Sequence, residues 1–133
     1  NLVKGGKRPF QTIIPAFLMS DTGNPIMSFG VMGGPMQAQG HLQMTLRTQL
    51  WGQDPQTAVD APRWQALSGL DVAVEASLGH EVIDALKAKG HAIKVETPDS
   101  TNFGFGGAQL IAKTEAGYVA GSDPRKDGCA VGY

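Results

Sequence analysis

The stretch that most constrains the fold is Phe29-Gly-Val-Met-Gly-Gly-Pro-Met-Gln-Ala-Gln-Gly-His-Leu-Gln43, an apolar run that halts at two glycines and then takes on helical character. Pro35 suits the first turn of a helix, because the N–H it lacks is one that the first turn leaves unbonded in any case. The stretch therefore reads as strand, tight turn and helix. In that arrangement the backbone N–H groups near Gly33 and Gly34 point freely out of the turn, which is how a chain builds an anion or oxyanion site without side chains. A Gly-Gly pair serves equally as a plain turn.

The flanking sequence predicts a small mixed domain. Residues 1–9 read as a loop or frayed terminus. Residues 11–19 form a nearly unbroken apolar run, expected of a strand buried on both faces, with Pro15 confined to an edge or bulge. The turn formers Ser20-Asp-Thr-Gly-Asn24 join it to a strand from Pro25 to Met32, most simply as an antiparallel hairpin. After the glycine pair, Leu42, Leu46 and Leu50 recur every fourth position and predict a helix from Met36 to about Trp51 with one apolar stripe. Gly40 within it weakens the helix by roughly 1 kcal/mol relative to Ala, which points to a close contact on that side.

A short helix is expected at Pro55 to Asp60, a half-exposed strand at 71–76, and a helix from Leu78 to Lys89 ended by Gly90. Ile93 and Val95 begin another strand. Pro98 to Gly107 reads as a long loop, and 108–113 and 117–122 as two final strands around Glu115-Ala-Gly117. Without repeats or a linker, residues 1–133 form a single α+β domain of hairpins with two helices.

Charge and cysteine content narrow the function. Charged residues make up 17% of the 133, the formal net charge is -1, and the Lys and Arg residues are scattered. There is no electrostatic footprint for nucleic acid or a membrane surface. No apolar run approaches the ~20 residues of a membrane span. Cys129 is the only cysteine, so neither an internal disulfide nor a thiol-rich metal site can form. His41, His80 and His91 lack metal-ligand spacing and take surface or packing roles. No motif calls for a cofactor, and no Gly-x-Ser-x-Gly elbow is present. Gly104-Phe-Gly-Gly107 precedes a strand rather than a helix, the wrong context for a phosphate loop, and reads as surface loop. Arg63 and Arg125 each follow a proline. Each guanidinium is placed either to clamp a carboxylate bidentately or to form a structural ion pair with an Asp or Glu.

Several segments, taken in order, resemble the γ-glutamyltranspeptidase family, particularly its shorter, acylase-like bacterial branch. They are Arg8-Pro-Phe-Gln-Thr-Ile-Ile-Pro15, Gly30-Val-Met-Gly-Gly-Pro-Met-Gln-Ala-Gln-Gly-His-Leu-Gln43, Asp60-Ala-Pro-Arg63, Leu86-Lys-Ala-Lys-Gly90 and Gly121-Ser-Asp-Pro-Arg125 with the closing Gly132-Tyr133. The resemblance implies an N-terminal-nucleophile hydrolase, an αββα sandwich of antiparallel sheets between helical layers, of which this chain is part. In such proteins a precursor cuts itself, and the new N-terminal threonine of the small subunit attacks a γ-glutamyl amide.

Carried over by position, Gly33 and Gly34 are the oxyanion-hole pair. Gln11 and Thr12 stand where the transpeptidases hold the substrate α-carboxylate with two serines. The bulkier amide at Gln11 reshapes that pocket, which makes a glutaryl or cephalosporin-type acylase the alternative to a γ-glutamyl enzyme. Threonines 12, 22, 45, 48, 57, 97, 101 and 114 are internal and have no free α-amine to act as base. The resemblance therefore implies the C-terminal portion of a small subunit, inactive by itself, whose partners are the large subunit, the rest of the small subunit and a small γ-glutamyl substrate. It leaves the compartment, bacterial cytoplasm or periplasm, undetermined. A non-catalytic homologue is the further alternative. Apolar surface left for the missing parts predicts self-association of the isolated chain.

Overall fold

A computed structural model describes residues 2–97 and 104–133. Among the described residues, two sheets and three α-helices make up the α+β fold. The first sheet has four antiparallel strands, β1 (Pro15–Met19), β2 (Pro25–Met32), β6 (Gly107–Thr114) and β7 (Gly117–Ser122), in the order β1-β2-β6-β7. The second has β3 (Trp64–Ser68), β4 (Asp71–Glu75) and β5 (Ala92–Glu96) in sequence order. Alternation along β2 sends Met27, Phe29 and Val31 inward, where they meet Ala108 and Leu110 of β6. The helices α1 (Met36–Thr45) and α2 (Pro55–Asp60) cover this face, contributing Met44, Ala58 and Val59 to the same cluster. Residues with period two on one buried face are what a one-sided antiparallel sheet requires.

The expected β1–β2 hairpin forms, but the first apolar run is not a strand buried on both faces. Gln11–Ile14 lie outside any strand, and within β1 only Ala16 and Leu18 turn toward the core while Phe17 and Met19 are exposed. An edge position explains this, and Pro15, with no N–H to give a ladder, opens the strand. The helix Pro55–Asp60 matches its expected bounds: Asp54 accepts hydrogen bonds from the N–H groups of Gln56 and Thr57, and Pro55 takes the first turn.

On α1 the expected face is reversed. Leu42 and Leu50 are exposed, and the buried positions are Met36, Gly40, Gln43 and Met44, followed by Arg47 in a π-helical turn over Leu46–Leu50. Gly40 explains the choice: a Cβ there would lie 2.5 Å from Val31 Cγ1, so the helix backbone sits directly on β2. Gln43 exchanges two hydrogen bonds with the backbone of Trp64, and Gln39 does the same with Ala66. The two amides, four residues apart on one helix face, thus occupy the free edge of β3 as a partner strand would.

The strand β3 has no counterpart in the sequence reading. The pair β4–β5 is parallel, joined through α3 (His80–Ala88), rather than another hairpin. The expected loop Pro98 to Gly107 falls in part on residues 98–103, outside the described residues. Its end is not surface loop, for Phe105 is buried against Met36 and Ala73, and Gly106 is buried beside it. The reason is a backbone contact considered next.

Candidate functional site

The strand β2 ends at Met32, and the chain turns through Gly33 and Gly34 into α1. Both glycines have positive φ, +127° and +59°, values that L side chains adopt rarely. The N–H groups of Met36 and Gln37 close the turn on the carbonyls of Gly33 and Gly34. Among the described residues, no backbone acceptor is found for the N–H of Gly33 or of Gly34. Two adjacent donors at the start of a ten-residue helix, with the helix dipole behind them, form a site of positive potential.

The turn is held from behind by a second glycine segment. A Cβ on Gly33 would lie 2.8 Å from Gly106 Cα, and one on Gly106, at φ +69°, would lie 1.7 Å from the Met32 carbonyl oxygen. These two backbones therefore pack without side chains between them. Arg63 fixes the far side of that contact: its Nη1 donates to the Gly106 carbonyl at 2.6 Å, and its guanidinium stacks 5.4 Å over the Phe105 ring.

Arg63 belongs to a buried network with Glu75, Asp123 and Arg125. Arg63 Nη2 meets Glu75 Oε1 at 2.6 Å, and Arg125 Nε meets the same oxygen at 3.0 Å. Asp123, with a side chain only 1% exposed, stands 3.6 Å from Arg63 Nη1 and 3.3 Å from Arg125 Nη1. Arg125 also donates to the carbonyls of Val59, Asp60 and Ala61, which ties the tail to α2. Burial pushes the Glu75 carboxyl up, but the hydrogen bonds from Arg63 and the charges of Arg63 and Arg125 outweigh it and hold the group below the ordinary glutamate range. Burial, reinforced by Arg125, lowers Arg47, whose guanidinium donates to the carbonyls of Ala58, Ala61 and Pro62. Both sequence candidates, Arg63 and Arg125, are thus paired with carboxylates of this chain, and neither lines the cleft at the glycine turn.

That cleft, of about 610 Å³, opens on the outer side of the four-stranded sheet. Gly30, Gly33, Gly34 and Thr12 line it, with Gln37, Gln109 and Lys126 as further polar neighbours. Gln11 does not line it; its amide turns back to the Ile13 carbonyl. Gln37 was missed in the sequence and links the two halves of the cleft. Its amide donates to the Thr12 carbonyl at 2.7 Å and accepts from the Ile14 N–H at 3.2 Å. The segment before β1 is thereby pinned to the first turn of α1. A glutamine in the turn after a glycine pair is the only signal that pointed to it. His41 packs its ring against Phe29 and places Nδ1 2.6 Å from the Gln37 carbonyl oxygen.

The geometry defines an amide-donor turn facing an apolar cleft on an αβ sandwich layer, and comparison with known proteins gives it a family. The sequence model of the γ-glutamyltranspeptidase family matches residues 1–133. The chain belongs to the γ-glutamyltranspeptidase family. It is 33% identical over 99% of its length to the glutathione hydrolase-like YwrD proenzyme of Bacillus subtilis, and covers 26% of that protein. It is 32% identical over 96% of its length to the oxamate amidohydrolase proenzyme of Klebsiella pneumoniae, and covers 25% of it. The chain thus spans about a quarter of these relatives. Among solved structures, the cephalosporin acylase of Bacillus halodurans superposes with a TM-score of 0.80 at 43% identity, over 94% of this chain and 23% of the acylase. A γ-glutamyltranspeptidase of Pseudomonas nitroreducens matches the fold over the whole chain and 68% of its own, with a TM-score of 0.79 at 23% identity.

Proposed function

We propose that the protein carrying this chain hydrolyses or transfers the acyl group of a small amide, with γ-glutamyl compounds such as glutathione as the leading substrates. The chain supplies the oxyanion hole and part of the substrate wall. A threonine N-terminal nucleophile from another part of the protein adds to the amide carbon, and the N–H groups of Gly33 and Gly34 receive the oxygen as it gains negative charge. The observation that carries this reading is the pair of adjacent N–H groups without backbone acceptors among the described residues, on glycines that line the cleft. Thr12, on a segment locked by Gln37, forms the wall beside the acyl chain, with Gln11 next to it. Arg63 and Arg125 act structurally, holding Gly106 and the tail behind the turn.

The exposed apolar groups Leu42, Leu50 and Trp51 on α1 and its extension, and Phe17, Ile111 and Tyr118 on the outer face of the sheet, are surfaces for the rest of the proenzyme. In its absence they are where copies of the chain associate. An acylase acting on a glutaryl-type side chain is the second reading, favoured by the 43% identity to the cephalosporin acylase. Steady-state hydrolysis of γ-glutamyl and glutaryl p-nitroanilides by the intact protein separates them. A preference for γ-glutamyl supports the leading reading, a glutaryl preference replaces it with the second, and cleavage of neither refutes both.

A further inference from the structure

Gly30 stands inside β2, a central strand of the four-stranded sheet, where glycine weakens the strand because it orders more backbone and packs no side chain. Every other glycine of the described helices and strands has a local reason. A Cβ would lie 2.5 Å from Val31 Cγ1 at Gly40, 2.6 Å from Lys126 Cγ at Gly107 and 2.5 Å from the Pro55 carbonyl at Gly121, and Gly117 has φ +141°. Gly30 has none of these. Its φ lies outside the left-handed region, its pairing with Pro15 on β1 and Gln109 on β6 runs through without a bulge, and a Cβ built on it meets nothing within 4 Å. With turn, bulge and internal packing set aside, a strand glycine marks the close approach of a group from outside.

We propose that an extended segment of this protein's remaining polypeptide crosses the outer face of the sheet at Gly30, with its backbone seated against the glycine. Residues paired directly across neighbouring strands share a face, so Pro15, Gly30 and Gln109 form one row with a gap at its centre, a floor between two walls. The next row, Phe17, Ser28 and Ile111, carries the apolar face on past the cleft, with Phe17 59% and Ile111 51% exposed. A small molecule held at the glycine turn has no use for that second row, whereas a polypeptide crossing the sheet covers both. This chain covers only 26% of the YwrD proenzyme and 25% of the oxamate amidohydrolase proenzyme, so a protein of their length supplies such a segment. Gly30 precedes Gly33 by about 10 Å of strand, and the seat therefore leaves the turn itself open. The seat rests on the chain belonging to a longer protein and holds whether or not that protein cleaves an amide.

Two substitutions in the intact protein test the seat, and neither readout requires turnover. With the outer face open at Gly30, Gly30→Ala raises Tm, because alanine loses less backbone freedom on folding. With a backbone seated there, the new methyl is overpacked and Tm falls by about 2 °C or more. A lowered Tm supports the seat, and a raised or unchanged Tm overturns it. Gly30→Cys in a Cys129→Ser background reports what fills the space, with maleimide modification at residue 30 located by mass spectrometry. The seat predicts modification about 100-fold slower than in the urea-unfolded protein, with or without a γ-glutamyl or glutaryl boronate. Modification at the unfolded rate overturns it. Fast modification that the boronate suppresses assigns the space to substrate and overturns it as well. Where the cysteine variant does not fold, the direction of the Tm shift in Gly30→Ala decides.

Discussion

Replacing Gly40 by alanine sets two effects of known size against each other. In a helix interior, glycine to alanine gains about 1 kcal/mol from backbone entropy. At Gly40 the new methyl would lie 2.5 Å from Val31 Cγ1, 3.1 Å from Val31 Cβ and 3.4 Å from Val31 Cγ2, against an optimum near 3.5 to 4.0 Å between carbons. Rotating the valine does not relieve this, because its Cβ is itself too near. Nor can the strand retreat, since Val31 is buried and paired in register with Ala108. Overpacking of this kind costs about 1 to 3 kcal/mol, so Gly40→Ala destabilises by about 1 kcal/mol despite its helix propensity.

The refined form of the prediction is a double-mutant cycle. Val31→Ala alone leaves a small cavity and destabilises; in the Gly40→Ala background it removes the clashing methyl groups, so the double variant is more stable than the sum of the singles by about 2 kcal/mol. Urea midpoints of the intact protein at unchanged slope provide the measurement. A Gly40→Ala variant stabilised by the full propensity gain, or additive single effects, would refute the close seating of α1 on β2, and with it the placement of the glycine turn.

Two further outcomes follow from the network and the cleft. Because the folded Glu75 carboxyl lies below its ordinary value, its contribution is complete above the unfolded pKa, near 4.3, and is lost as pH falls through the depressed folded value. Glu75→Gln therefore flattens the acid limb of a stability-against-pH curve while costing about 3 kcal/mol at pH 7, because the two arginines are left with Asp123 as their shared carboxylate; an unchanged acid limb would contradict the pairing. Gln37→Leu deletes two hydrogen bonds to an exposed segment, so it lowers stability by only about 1 kcal/mol. It nevertheless lowers kcat/KM by about 10-fold as the wall beside the glycine turn loosens, and a loss of activity no larger than the loss of folded protein would refute that role.

Much of the fold was legible where one residue type fixes local geometry. Pro55 and Ala61-Pro62 bound α2, Gly90 lies just past α3, and the glycine pair separates β2 from α1. The reading failed where packing uses groups that apolar periodicity does not register. The stripe of Leu42, Leu46 and Leu50 looked like the core face of α1, but the helix is seated by the missing side chain of Gly40, by the amides of Gln39 and Gln43 on β3, and by Arg47 on three carbonyls. The strand β3 was invisible for the same reason: its free edge is satisfied by glutamine side chains rather than by a strand with its own alternation. In the cleft, Gly33, Gly34 and Thr12 were named from the sequence and lie together, whereas Gln37, Gln109 and Lys126 were not. The contact that brings Lys126 in is made through Gly107, distant in the chain and with no pattern of its own. Arg63 and Arg125 stood out for their prolines, but only the fold shows that they share Glu75 and Asp123.

The claim that the Gly33–Gly34 turn is an oxyanion hole is tested most directly by a crystal structure of the intact protein bound to a γ-glutamyl or glutaryl boronate, which captures the tetrahedral geometry of the reacting carbon. The account predicts one boronate oxygen within about 2.7 to 3.1 Å of the backbone nitrogens of both Gly33 and Gly34. A tetrahedral adduct whose oxygens all face away from the turn, with both amides contacting other groups, would contradict it.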